Sequence, residues 1–226
     1  MMEPYIDVDG EKVRRKPSKE LLAAVGHVAR EYPEEVLPLV PKLKRCFEDS
    51  IEDIGYTATE AGYALGMVAK EYPHVARNSI PLFVEATKIE NERASNNAMA
   101  LLGDLADGYQ DELVEHLPRC VEELDAEDER MRSNALLVVA RVADKHPDGV
   151  HQEVKVDEIT EILDAEEEIE RTRENVCWTL LYLGERVTNT VPELRKASED
   201  DPSERVREVA EMAADQIENR DKDWGV

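Results

Sequence analysis

The side chains of this 226-residue chain able to bind a metal, move a proton or attack a carbon are five histidines, three cysteines and a surplus of carboxylates. Their spacing supports none of these chemistries. His27, His74, His116, His146 and His151 form no HExxH or HxH pattern, so no helix face offers two imidazoles at zinc-ligand spacing. His146, Asp148 and His151 are close in sequence but flank a proline turn. Cys46, Cys120 and Cys177 lie far apart with no CxxC pair, which speaks against a disulfide framework or a thiolate zinc site. They read as small buried side chains. The acidic runs DAEDER (125–130) and DAEEEIE (164–170) lack the alternating oxygen ligands and turn glycine of a calcium loop, and read as solvated edges. Neither a Gly-rich phosphate loop nor a G-x-S-x-G elbow is present. The expectation is a chain with no catalytic residue, no metal and no cofactor.

What remains is recognition by contact. Aromatics, Met and Arg, the types enriched at binding hot spots, recur at one-turn spacing: Tyr63 before Met67, Trp178 before Tyr182, Leu137 before Arg141. Asn97, Asn134 and Asn175 share the settings NNA, SNA and ENV. Whether these side chains meet solvent depends on the elements that carry them.

Those elements are internal repeats. AVGHVAREYP (24–33), ALGMVAKEYP (64–73), LLGDLADGYQ (101–110) and VVARVADKHP (138–147) align without gaps, and LLYLGERV from Leu180 is a weaker fifth copy. With Gly26, Gly66, Gly103, Ala140 and Leu181 as reference column, the steps are 40, 37, 37 and 41 residues; a terminal copy places Asp215 there 34 residues on. Each copy reads as an amphipathic inner helix. Met131, Ala135, Val138, Val139 and Val142 follow the spacing of one helical face, and Val206, Ala210, Ala213, Ala214 and Ile217 repeat it. Asp201 reads as the N-cap of that last helix, with Pro202 opening it. Between copies lies a second amphipathic block ending in an acidic turn. Pro41, Pro81 and Pro118 each fall 15 residues after the reference column, with Pro192 at the matching place of a shortened copy. Proline inside a helix removes a donor and kinks the chain, so a kinked outer helix is expected in each repeat.

The proline-bearing first helix, the acidic turn and a second helix of the form V-R-x-x-A-x-x-A-Φ-x-x-Φ (Val206, Arg207, Ala210, Ala213, Ala214, Ile217) resemble HEAT repeats, including the shorter HEAT-like repeats of bilin lyases. The likeness covers residues 18–218. It implies an all-α, right-handed α-α superhelix of about five helical hairpins, with residues 1–17 as an N-terminal extension and 219–226 as a flexible acidic tail. The second-helix arginine is present as Arg132, Arg173 and Arg207, but Ala58 and Ser95 hold the equivalent earlier places, so an arginine–acid ladder along the whole array is not expected. Arrays of this kind bind along the inner-helix face. There, one column reads Ala23, Tyr63, Ala100, Leu137, Trp178 and Met212, and the next reads His27, Met67, Asp104, Arg141, Tyr182 and Gln216. Two readings stand. The column is an open binding face, or it belongs to the core, because an inner helix touches its outer helix and both neighbouring repeats. The asparagines either hydrogen-bond the backbone of an extended peptide, by analogy with armadillo arrays, or tie repeats together.

The net charge of −24 comes from 52 acidic against 28 basic residues. It is either an adaptation to concentrated cytoplasmic salt, as in a halophilic archaeon, or complementarity to a basic partner. Eleven Lys against 17 Arg do not fit heat adaptation. No run approaches the roughly 20 apolar residues of a membrane helix, and the start lacks a signal-peptide segment, so a cytoplasmic location is expected. Nucleic acid is disfavoured because the one basic cluster is VRRKPSK (13–19). Trp224 in the tail is a further docking residue. The expected function is a protein-binding scaffold, adaptor or regulatory subunit, not an enzyme, with another protein as partner. The alternatives are a lyase-type enzyme on the same scaffold, which needs a cleft of convergent polar groups, and nucleic-acid binding through Arg132, Arg141 and Arg173.

Overall fold

The apolar periodicity resolves into six long inner helices, Lys19–Glu31, Tyr56–Glu71, Glu92–Ala106, Glu129–Lys145, Glu170–Leu183 and Glu204–Arg220. The structure is a computed structural model that describes residues 5–8, 11–14, 17–50, 56–164 and 168–220. Trp224 lies outside the described residues. The chain divides into two compact units, Met1–Asn97 and Ala98–Val226.

In the first unit, strand Tyr5–Val8 pairs antiparallel with Glu11–Arg14, Tyr5 opposite Arg14. The first inner helix starts where the Ser18 hydroxyl accepts a hydrogen bond from the Leu21 amide, at 3.3 Å. It buries Leu22, Gly26 and Ala29 and packs on helix Tyr56–Glu71, while Leu21, Val28 and Tyr32 stay exposed. Phe47 and Phe83 meet edge to face, ring centroids 5.7 Å apart, and Phe47 lies so close to Gly62 that a Cβ there would stand 2.7 Å from its ring.

In the second unit, helix Glu129–Lys145 packs on Glu170–Leu183, which packs on Glu204–Arg220. Asp128 caps the first of these, accepting from the Met131 amide at 2.8 Å. Both expected apolar faces are buried, Met131 through Val142 and Val206 through Ile217. Between Arg132 and Ala140 every residue except Arg132 is buried, since this helix is covered by neighbours on more than one side. The acidic turns have structural jobs. Arg132 donates to Glu168 at 2.7 Å, Arg173 grips Asp201 with two bonds of 2.7 and 3.1 Å, and Arg207 donates to the Asp201 carbonyl at 2.7 Å.

Two sequence expectations need correction. The recurrent prolines do not sit in the middle of one regular outer helix but mark a joint, which in the first and third blocks is a 3-10 turn, Leu37–Leu39 and Val114–His116, that runs straight into the next helix. Each outer block consists of successive helical pieces, and Pro41, Pro81, Pro118 and Pro192 sit in the first turn of the piece after the joint, Val40–Glu48, Ile80–Ala86, Leu117–Glu122 and Val191–Asp200. A missing amide costs nothing in a first turn, where it has no intrahelical acceptor. In the fourth block, which has no such proline, the extended residues Val154 and Lys155 separate the two pieces instead. Asp201 is not the N-cap residue either: the last helix opens at Glu204. Asp201 instead accepts from the Ser203 amide at 2.8 Å, and the Ser203 hydroxyl accepts from Val206 at 3.4 Å.

Candidate functional site

Most members of the two sequence columns on the inner helices come out part-exposed, Leu137 being the buried exception. In the second unit, Trp178 and Tyr182 are both half-buried and lie one turn apart on helix Glu170–Leu183. Their rings stack with centroids 5.9 Å apart and planes inclined by 23°. The stack is an offset aromatic contact that fixes both rings at the surface. The Trp178 indole N–H donates to Glu174 Oε1 at 3.2 Å, and Arg205 Nε donates to the same oxygen at 2.9 Å. Glu174 thus orients the indole edge, while Tyr182 stacks on one of its faces. Partial burial pushes the Tyr182 hydroxyl above the usual phenol range; the charges of Asp144 and Asp107 push the same way, and Arg141 opposes them. Arg141, half-buried, forms an ion pair with Asp107. Met212, next in the aromatic column, is 42% exposed.

Leu137 belongs to that column by register but is buried. Its side chain fills the space that Gly103 leaves open, where an added Cβ would stand 2.8 Å from Leu137 Cδ2. The expected contact role for Leu137 therefore gives way to a packing role.

In the first unit, Tyr63 and Met67 are half-buried on helix Tyr56–Glu71. The Tyr63 ring lies against Gly26 of the preceding inner helix, 2.8 Å from where a Cβ would be. One edge of the ring is seated there, and the side chain as a whole stays part-exposed.

The asparagines do not form an open ladder. Asn97 is half-buried, but Asn134 and Asn175 are buried. Asn175 Nδ2 donates to the Ser133 carbonyl at 3.2 Å and so joins two adjacent inner helices. Of the two roles considered for this column, tying repeats together is the one that Asn175 performs.

The acids beside the ring pair were not singled out in the sequence. The signal was present: Glu174 stands one turn before Trp178, and Asp107 and Asp144 stand three residues past Asp104 and Arg141 in the second column. For chemistry, the strongly displaced groups among the described residues are two thiols, Cys120 and Cys177, which burial pushes up to about 12. Such thiols are unreactive. Among the described residues, no group of three or more His, Cys, Asp or Glu side chains is placed to hold a metal ion. No described helix is long and apolar enough to cross a membrane.

No family model matches the sequence, and no curated protein matches it. Solved structures do match. A designed armadillo repeat protein is 16% identical, with 88% of this chain and 92% of that chain covered and a TM-score of 0.72. A second, solved in complex with the peptide (KR)4, is 16% identical over 88% and 91% of the chains, with a TM-score of 0.74. A third, computationally designed for modular peptide recognition, is 18% identical over 88% and 92%, with a TM-score of 0.73. The class of protein is therefore fixed at the level of fold: an all-α repeat solenoid.

Proposed function

We propose that this protein is a binding scaffold, an adaptor or regulatory subunit without a reaction of its own, that holds an extended segment of another protein. The segment lies on the part-exposed columns of the inner helices. Trp178 and Tyr182, with Arg141, form the main contact in residues 98–226. Tyr63 and Met67 form a separate contact in residues 1–97, and Asn97 is the one asparagine of its column retained as a contact. The observation that carries this reading is the stacked, part-exposed pair Trp178–Tyr182, held by Glu174 yet with no protein group needed to complete it. Rigid aromatics are the residues on which binding energy concentrates. The likeness to designed repeat proteins, one of them holding a peptide, supports the mode of binding.

The test is to pan a random twelve-residue peptide library against the full chain and counter-screen with the Trp178→Ala, Tyr182→Ala double variant. Enriched peptides that bind the parent and lose most of their affinity for the variant are expected. Recovery of no peptide, or only of peptides indifferent to the variant, would overturn the reading.

A further inference from the structure

We infer that the segment held at Trp178 and Tyr182 is basic, an extended peptide rich in Lys and Arg; this rests on the scaffold reading above and adds the chemistry of the partner. By helical register, the ring pair stands between two sets of carboxylates. One turn before the aromatic column stand Glu174 and Glu208. Three residues past the second column stand Asp107, Asp144 and Glu185, and all three are exposed. The same register in the first unit holds the opposite sign, Arg30 and Lys70. Three of these acids act on the rings: Glu174 bonds the indole, and the Asp144 and Asp107 charges act on the Tyr182 hydroxyl.

The protein's own cations neutralise only part of this field. Arg141 takes Asp107 and Arg205 takes Glu174 and Glu208, but Asp144 and Glu185 have no ion pair among the described residues. The imbalance extends to the whole unit. Residues 98–226 hold 35 acidic against 15 basic side chains, a balance of −20, whereas residues 1–97 hold 17 against 13, a balance of −4. Adaptation to salt gives no reason to concentrate negative charge in one unit; complementarity to a cationic ligand does. Aromatic faces bordered by carboxylates suit Lys and Arg side chains in particular. Their methylene stems lie on the rings, their cationic heads are attracted to the ring faces, and the heads end at the acids.

The test measures binding of three fluorescent decapeptides to the full chain in about 0.1 M KCl, where charges are screened beyond about 10 Å. The peptides are alternating Lys-Arg, alternating Ser-Gln and alternating Asp-Glu. The Lys-Arg peptide is expected to bind at least about tenfold more tightly than Ser-Gln, with Asp-Glu weakest. Trp178→Ala and Asp144→Lys are each expected to weaken it by about fivefold or more. Asp144 is exposed, so Asp144→Lys leaves folding intact even if Trp178→Ala does not. Equal binding of the Lys-Arg and Ser-Gln peptides, or Lys-Arg binding unaltered by Asp144→Lys, would overturn the inference. Panned peptides that depend on Trp178 and Tyr182 but carry no excess of Lys and Arg would overturn it while leaving the scaffold reading in place.

Discussion

Arg173 reaches from its own helix to a carboxylate 28 residues on, and the side chains of both partners are nearly out of water, 8% and 3% exposed. Its two-pronged contact with Asp201 satisfies both carboxylate oxygens, as a guanidinium can and an ammonium cannot. Removing one member strands the other. Arg173→Ala is therefore expected to cost about 3–5 kcal/mol in urea unfolding, against less than about 1 kcal/mol for Arg205→Ala, whose side chain is half exposed. Comparable losses in the two variants would show that the buried pair has no special weight. The thiols make a second prediction. Cys120 and Cys177, pushed up to about 12 by burial, stay protonated when the same thiols in an unfolded chain ionise near pH 8.5. Above that pH the unfolded chain binds fewer protons than the folded one, so stability falls as pH rises. In the native protein at pH 8 a thiol reagent is expected to label no more than Cys46, with the other two sites appearing only on denaturation; rapid labelling of all three would contradict the burial.

At the scale of elements, the glycines of the inner helices are seats for rings and methyls from neighbouring elements. Gly62 has the least room: an added Cβ would meet the ring of Phe47, itself 3% exposed and held against Phe83. Gly62→Ala is expected to destabilise by about 1–3 kcal/mol despite alanine's better helix propensity, because that core cannot yield. Gly108 has nothing within 4 Å of its would-be Cβ, so Gly108→Ala is expected to be neutral or stabilising by up to about 1 kcal/mol. Thermal unfolding of the pair decides it, and a harmless Gly62→Ala would mean that Phe47 can move aside. The repeat period and the inner faces were legible in the sequence because burial on one side leaves a 3.6-residue signature in residues such as Val138 and Val142. The role of the prolines was not. Proline suits both a kink and a first helical turn, and the choice lies in the residue before the new helix, such as His116 with φ −103° and ψ 3°, which packing sets. The aromatic column was legible by register; its exposure was not, because Tyr63 and Leu137 share that register and each sits over a glycine, Gly26 and Gly103, yet Tyr63 stays part-exposed and Leu137 is buried.

For the molecule as a whole, charge ties stability to binding. A net charge of −24 repels itself at every salt concentration where the screening length spans neighbouring side chains. Going from about 0.01 M to about 1 M KCl shortens that length from about 30 Å to about 3 Å. Urea unfolding midpoints are therefore expected to rise across this range. The attraction between a Lys-Arg peptide and the acids around Trp178 is screened by the same ions, so its affinity is expected to fall by about tenfold or more. The two responses have opposite signs because one relieves repulsion within the chain and the other weakens attraction between chains. Their relative size separates the two origins considered for the acidity. If salt adaptation alone explains it, the midpoint rises steeply while basic peptide bound in low salt ignores Asp144→Lys. If a cationic partner explains it, the Lys-Arg peptide itself raises the midpoint in dilute buffer, as any ligand of the folded state must, and Asp144→Lys abolishes most of that rise.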